Sequence, residues 1–261
     1  MKTLIRQLQE IWRFRELLRE LFLTWLKLRH AGSVLGLLWT MLNPAAFVFI
    51  YWIVFTHVIK IDIPNYASFL IPGYLAWNFT WNAAQESSQA MIGSSYLITK
   101  IAFPSEILVF ASVGVTLFEF LVALVLYVLL AVILSIPLPP IAAALPIIVL
   151  LHVLFTLGFS LICACGSVYF KDIPKLISIA GMLLFFATPV FYPETLIPQK
   201  LTTLFLMNPF APFVACYHAV LYYDLIPGVS LLIKVGLLSI TVLSVGMKIF
   251  SRFKPYFAEY V

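Results

Sequence analysis

The sequence segment with the densest set of reactive or ligand-binding side chains is NFTWNAAQESSQ, residues 78–89, where amides, hydroxyls and a carboxylate interrupt an apolar stretch. Ionisable groups in apolar helices are costly, so they usually have a partner or a function. Glu86 here, Glu119 in a later stretch and His152 in the next could relay protons. Interhelical hydrogen bonds or the wall of a water-filled pathway explain the same residues.

Motifs of nucleotide-binding and hydrolytic enzymes are absent from the sequence: it has no GxxxxGK[ST], HExxH, GxSxG or GxGxxG. Cys163, Cys165 and Cys216 lie in apolar surroundings without a CxxC pair, which is typical of core residues. A glycosyl-transferring or lipid-modifying enzyme is disfavoured because no loop carries paired carboxylates. We predict no catalytic residue, metal site or cofactor on this chain, so any ATP and Mg²⁺ would bind a partner subunit.

The composition is that of a polytopic membrane protein. Of the 261 residues, 63% are hydrophobic and 10% are charged, against roughly 25% charged in soluble domains, and the mean hydropathy is +1.05. An all-α membrane protein with six transmembrane helices is predicted, because six apolar segments are near or above the ~20 residues that a span needs. These segments are residues 37–59, 69–91, 105–136, 141–170, 176–192 and 228–250.

The basic residues predict the orientation of these spans. All but three of the 16 Lys and Arg residues fall in segments that a cytoplasmic N-terminus would place inside; the exceptions are Lys60, Lys200 and Lys234. The positive-inside rule therefore puts both termini in the cytoplasm. The net charge of +5 is interpreted as a topology signal rather than as a nucleic-acid surface.

The chain divides into three parts. Residues 1–36 have Leu and Trp at helical spacing with interleaved Arg, which predicts an amphipathic interfacial helix or a helix packed on a partner. Residues 37–250 form the six-span domain, and residues 251–261 form a cytoplasmic tail. Within the domain, residues 193–227 are broken by prolines into pieces too short to cross, so we predict re-entrant helices on the outer face.

Aromatic residues crowd the first two spans. Tyr51, Trp52, Trp77 and Trp81 could offer flat apolar faces with polar edges to a sugar ring, although interfacial or core packing also explains them. Together with polar residues of the second and third spans, they form the predicted channel lining: Tyr51, Trp52, Trp77, Asn78, Trp81, Asn82, Gln85, Glu86 and Glu119.

A short amphipathic segment, SYLITKIAFP at residues 95–104, lies on the predicted cytoplasmic side. It is either a simple turn or a helix lying across the inner surface. In the second case, Leu97, Ile101 and Phe103 are apolar anchors for a cytoplasmic partner.

The order of these elements resembles the membrane subunits of ABC-2 type polysaccharide exporters, the family that serves O-antigen, capsule and teichoic acid export. The start of the first span follows the family pattern R-Y-x-x-S-x-L-G-x-x-W, with Gly32 and Gly36 at a predicted bend; its matching residues are Arg29, Ser33, Leu35, Gly36, Trp39 and then Pro44. Further matches are Lys100, Phe103-Pro104, Asp172-Ile173, the segment 189–193, Asn208-Pro209 and the segment 257–259. Departures from the family pattern are His30, Ala31, Lys171 and Ser105.

This resemblance implies a multi-pass permease of the bacterial inner (cytoplasmic) membrane, with a homodimer enclosing a channel for lipid-linked polysaccharide of O-antigen type. Two cytoplasmic ATP-binding subunits would drive export. Coupling to these subunits is implied at Arg29, His30, Tyr96, Leu97, Ile98, Lys100, Ile101 and Phe103, and an outer gate at Phe191, Tyr192, Asn208, Pro209 and Phe210. An ABC-2 exporter of drugs or small lipids, and an ion-coupled carrier using Glu86 and Glu119, stay open as alternatives.

Overall fold

The computed structural model describes residues 9–33, 36–60, 63–133 and 144–260. Every regular element in these ranges is helical, which confirms the all-α part of the predicted fold class. Leu35 of the family pattern, the side chain of His30 and the loop joining the third and fourth predicted spans lie outside the described part of the chain.

The α-helices are numbered in chain order. They are α1 (Arg15–His30), α2 (Trp39–Ile53), α3 (Tyr66–Gly93), α4 (Ser95–Lys100), α5 (Glu106–Ile133), α6 (Leu145–Tyr169), α7 (Ile173–Phe186), α8 (Thr202–Met207), α9 (Ala211–Leu221), α10 (Val229–Phe253) and α11 (Phe257–Tyr260). A π-helical turn, Val54–Val58, extends α2. The 3₁₀ turns are Gly36–Leu38, Glu194–Leu196, Gln199–Leu201 and Lys254–Tyr256.

Three of the described helical stretches are long and apolar enough to cross a membrane: Glu106–Leu129, Leu145–Tyr169 and Val229–Tyr260. Shorter apolar helices cover Leu42–Val58, Ile173–Phe186 and Ala211–Leu221. Helix α3 has 28 residues, which is sufficient length, but its second half is polar. Each predicted span thus contains a helix, while the count of six membrane crossings and their orientation stay predictions.

Helix α3 runs through the centre of the bundle and packs against α2, α5, α6, α7 and α9. The face of α3 that is fully buried includes small residues, among them Ala83, Ala84 and Ser87, which let helices approach closely in a membrane. Ser167 on α6 donates a hydrogen bond of 3.1 Å to the carbonyl of Ser88. Close helix packing therefore accounts for part of the polar segment 78–89.

The backbone bends sharply between α1 and α2. Gly32 and Gly36 have φ angles of +75° and +46°, in the left-handed region that favours glycine. The amide of Gly36 donates a 3.2 Å hydrogen bond to Ser33 Oγ. These glycine conformations end α1 and fit the predicted bend, which stays a prediction, and α1 packs against α5.

The segment 193–227 contains two α-helices that differ in burial. Helix α9 is almost entirely buried and packs against α3, α6 and α10. Helix α8 is more exposed, and Met207 at its end is 77% exposed. Neither helix is long enough to cross a bilayer, and their re-entrant placement stays a prediction.

Helices α6 and α10 meet through their backbones. A Cβ atom added at Gly158 would overlap the backbone of Leu243, and one added at Gly246 would overlap the carbonyl of Gly158. Ser239 Oγ donates a 2.7 Å hydrogen bond across the same pair of helices to the carbonyl of Leu151. This crossing therefore requires glycine at both positions.

Gly158→Ala is expected to lower the stability of the purified protein by about 1–3 kcal/mol, the usual cost of overpacking. Its methyl group would have to push the α10 backbone away. Thermal unfolding in detergent measures the effect, and Gly236→Ala on α10 is the control because its Cβ would enter open space. Equal stability losses in the two variants would contradict the close crossing.

Candidate functional site

An aromatic groove lies between α2, α3 and α7, with a cavity volume of about 420 Å³. Phe47 stacks on both Tyr51 and Tyr74, with ring centroids 4.2 Å apart in each pair. Six of the nine predicted lining residues border this groove: Tyr51, Trp77, Asn78, Trp81, Asn82 and Gln85. The geometry brings them together, and their role in transport stays a prediction.

Helical register explains why these side chains converge. Tyr74, Trp77, Trp81 and Gln85 are three or four residues apart and form one stripe along α3. Phe47 and Tyr51 have the same relation on α2. The sequence analysis did not assign Phe47, Tyr74 or Phe185 to the lining; the spacing from Trp77 could have identified Tyr74.

Two polar atoms in the groove have no hydrogen-bond partner among the described residues. They are Trp81 Nε1, a donor, and Gln85 Oε1, an acceptor. Both are buried, and a buried polar atom without a partner is unfavourable by about 1–3 kcal/mol. A hydroxyl group can accept from the first and donate to the second, but both atoms are closed to solvent in this conformation, so a polyhydroxylated ligand would reach them only when the groove widens.

The other three predicted lining residues lie elsewhere. Glu119 borders a second cavity of about 430 Å³, here called the polar pocket, which is lined by Arg29, Trp39, Asn43, Pro44, Tyr74, Leu75, Asn78, Phe79, Asn82, Thr116, Glu119, Phe120 and Ala123. Glu86 borders a third cavity together with Arg29 and Gln89. Trp52 borders an apolar cleft between α2, α3 and α5. Asn78 and Asn82 border both the groove and the polar pocket.

Arg29 of α1 lies between two carboxylates. Its Nε atom is 2.9 Å from Glu119 Oε1 on α5, and its Nη2 atom is 3.4 Å from Glu86 Oε1 on α3. The side chain of Glu119 is 13% exposed and that of Arg29 is 29% exposed. The resemblance assigns Arg29 to coupling; the structure engages its guanidinium within the chain, and the coupling role stays a prediction.

His152 belongs to a buried polar network that joins three helices. One ring nitrogen, Nε2, is 2.7 Å from Thr80 Oγ1 on α3, and Nδ1 is 3.3 Å from the hydroxyl of Tyr217 on α9. Phe213 stacks on the ring, with centroids 4.9 Å apart. These contacts give both ring nitrogens partners and favour helix packing over a proton relay with Glu86 and Glu119.

The predicted gate residues adjoin one end of the groove. Asn208 Nδ2 donates to Thr188 Oγ1 at 2.8 Å and to the Ala187 carbonyl at 3.0 Å, while its Oδ1 accepts from the Phe210 amide. The ring of Phe210 packs against the ring of Trp77, with centroids 5.6 Å apart. The joint at Asn208-Pro209 is thereby fixed to the end of α7.

Further hydrogen bonds hold the loops around this joint. Tyr66 donates 2.8 Å to the Phe191 carbonyl, and Tyr192 donates 2.8 Å to the Phe186 carbonyl. Tyr222 donates 2.7 Å to the Pro64 carbonyl. Burial raises the pKa of Tyr222, which keeps its phenol protonated as a donor.

The predicted coupling segment forms helix α4. Tyr96 and Ile101 are 72% and 52% exposed, whereas Ile98 and Phe103 pack against the core. Leu97 is half-buried and Lys100 is exposed. The exposed pair could contact another protein, and the others hold the segment in place.

The C-terminal segment packs against α4 and forms an ion pair at the start of α5. Helix α11 packs against α4, and Lys254 Nζ is 2.7 Å from Glu106 Oε2, whose side chain is only 4% exposed. The sequence analysis did not identify this pair, because nothing in the local sequence of Glu106 indicates a partner near the C-terminus.

Comparison with known proteins identifies the class. Residues 16–222 match the family described as ABC-2 type transporter, and the chain belongs to this family of membrane-embedded permease subunits. It is 32% identical to the O-antigen export system permease protein RfbA of Myxococcus xanthus over 258 residues, covering 98% of this chain and 99% of the relative. It is also 32% identical to the protein of that name from Klebsiella pneumoniae over 240 residues, covering 90% of each. The resemblance to the family is confirmed.

Arg29→Met is expected to lower the melting temperature by about 5 °C, because the mostly buried Glu119 loses its counterion. The double variant Arg29→Met/Glu119→Gln should recover most of this loss, and Arg19→Met, an exposed arginine on the same helix, is the control. Thermal unfolding in detergent measures all three. A double variant no more stable than Arg29→Met would contradict the ion pair's contribution.

Proposed function

We propose that this chain is the transmembrane subunit of an ATP-driven exporter that moves lipid-linked polysaccharide of O-antigen type across the bacterial inner membrane. Family membership and the names of the two relatives support the class of transporter and of cargo. The observation that carries the proposal is the aromatic groove with its two unsatisfied polar atoms. The chain itself would change no bond of the cargo.

The groove has the chemistry that a sliding glycan requires. A sugar ring has apolar C–H faces that pack on aromatic rings, and hydroxyl edges that hydrogen-bond to groups such as Trp81 Nε1 and Gln85 Oε1. The groove offers several similar rings in a row, among them Phe47, Tyr51 and Trp77. Each could bind a sugar ring weakly, so the glycan could move from one ring to the next. A small apolar drug would leave the polar atoms unsatisfied, which favours the glycan over a drug or small-lipid exporter.

Two copies of the chain would complete the channel. Met182 and Phe186 line the groove on α7 and are 70% and 51% exposed, so one side of the groove is open. In the proposed arrangement the chain crosses the membrane six times with both termini in the cytoplasm. Two grooves facing each other would then enclose the polysaccharide, with α8 and α9 as the outer gate.

ATP-binding subunits would act on α4 and its support. Tyr96 and Ile101 would provide the contact, and the packing of α11 and the Lys254–Glu106 pair would transmit force to the start of α5. Arg29 would link movement of α1 to α3 and α5 through its two carboxylates.

An ion-coupled carrier is the second candidate, favoured by the position of Glu86 and Glu119 beside cavities. The guanidinium of Arg29 lies against both carboxylates. Because this pairing accounts for both carboxylates without proton transport, we favour the ATP-driven exporter.

The double variant Trp81→Phe/Gln85→Leu is expected to reduce export of lipid-linked glycan about tenfold at equal protein levels. It keeps an aromatic face but removes both polar atoms, and each lost hydrogen bond is worth about 1 kcal/mol. Export is measured as glycan that reaches the lumen of inverted membrane vesicles supplied with ATP on their outside.

Gln89→Leu is the matched control, because Gln89 lies one turn further along α3 and borders another cavity. Export unaffected by the double variant would remove the groove from the proposal. Export that follows a proton gradient without ATP would favour the carrier instead.

Tyr96→Asp and Ile101→Asp, singly or together, are expected to reduce co-purification of the ATP-binding subunit at least tenfold, because charges would be buried in an apolar contact. Tyr223→Asp is the control: Tyr223 is similarly exposed, at 47%, and lies just after α9. The subunits are co-expressed and quantified after affinity purification. Undiminished assembly of the double variant would contradict the proposed docking surface.

A further inference from the structure

Two cavities beside the aromatic groove adjoin each other and are together called the crevice here. The polar pocket shares Pro44, Tyr74, Leu75 and Ala123 with the apolar cleft. The apolar cleft has a volume of about 330 Å³ and is lined by apolar side chains of the three helices, among them Val48, Trp52, Ile71 and Leu126. Both cavities lie between α2, α3 and α5, on another side of α2 from the aromatic groove.

The polarity of the crevice changes in one direction along all three helices. On α5, Thr116 and Glu119 border the polar pocket, Ala123 borders both cavities, and Leu126 borders only the apolar cleft. Along α2, Asn43 borders the polar pocket, and Val48 and Trp52, further along the helix, border the apolar cleft. Along α3, which runs the opposite way, Asn82 and Asn78 border the polar pocket and Ile71 and Ala67 border the apolar cleft.

The length of the crevice matches a lipid molecule. From Asn82 to Ala67, α3 rises about 22 Å at 1.5 Å per residue. One leaflet provides about 15 Å of hydrocarbon depth, half of the ~30 Å core. The crevice can therefore hold a head group at its polar end and much of one hydrocarbon chain at its apolar end.

The charges at the polar end favour one kind of head group. Arg29 is a cation beside the carboxylates of Glu119 and Glu86, so the cluster carries more negative than positive charge. The remaining N–H groups of Arg29 can donate hydrogen bonds to a phosphate, and a carboxylate can accept them from an ammonium group. A purely anionic head group would meet the carboxylate of Glu119 in the pocket, beside a cluster of net negative charge, and this repulsion disfavours it.

We propose that the crevice between α2, α3 and α5 binds a phospholipid with a zwitterionic phosphoethanolamine head group. Its phosphate would face Arg29, its amine would face Glu119, and one acyl chain would occupy the apolar cleft. The lipid would fill the space between α2 and α5, where a void would forfeit packing contacts. It would thereby support α2, which presents Phe47 and Tyr51 to the groove.

The test is native mass spectrometry of the detergent-purified chain after exchange into mixed micelles. The probes are phosphatidylethanolamine and phosphatidylglycerol with identical acyl chains. We expect one phosphatidylethanolamine retained per chain, with at least tenfold preference over phosphatidylglycerol. Ala123→Phe, which fills the neck between the two cavities, should reduce retention at least tenfold; Val125→Phe, at a site on α5 that is 57% exposed, should not.

A second variant keeps the test decisive if Ala123→Phe folds poorly. Glu119→Gln removes one negative charge and should shift the preference at least tenfold toward phosphatidylglycerol. Equal retention of both lipids by the unaltered chain would indicate only surrounding lipid and overturn the proposal. Retention unchanged by Ala123→Phe in folded protein, or displacement of the lipid by a polyprenyl pyrophosphate, would overturn it as well. None of these measurements requires transport, so a failure of the lipid proposal can be distinguished from a failure of the export proposal.

Discussion

Polar groups inside an apolar helical bundle have to find a partner or face a cavity, and α3 meets this constraint in different ways on its different faces. Toward α6 two of its polar groups have partners: Thr80 reaches His152, and the Ser88 carbonyl accepts from Ser167. Toward α2 and α7, Asn78, Asn82 and Gln85 border cavities. The first face secures the helix at the centre of the bundle, and the second is left to border the cavities.

The ion pairs place the interfacial helix on this same framework. Arg29 reaches Glu119 on α5 and Glu86 on α3, and the bend at Gly32 and Gly36 then directs the chain into α2. The position of α1 is therefore defined by charge as well as by its apolar face. Lys254 and Glu106 have a comparable function at the start of α5, where they secure the C-terminal segment.

Local patterns in the sequence predicted the elements well, because periodicity and composition determine which segments become helices. Tyr51, Trp77 and Trp81 were predicted together because aromatic residues crowd the first two spans, and they do border one groove. The partners of Arg29 and Glu106 could not be predicted, because each pair joins residues far apart in the chain. Trp52 was assigned to the channel although it borders another cavity, since its position around α2 depends on how that helix rotates against its neighbours.

The contact between Gly158 and Gly246 has a mechanical consequence. Because α6 and α10 touch through backbone atoms, neither can slide along the other without an atomic clash. Helices α2 and α7 meet α3 largely through ring contacts around the groove, and aromatic rings can slip past one another at modest cost. We expect α6 and α10 to act as a stationary frame, and the groove to widen by displacement of α2 and α7 relative to it.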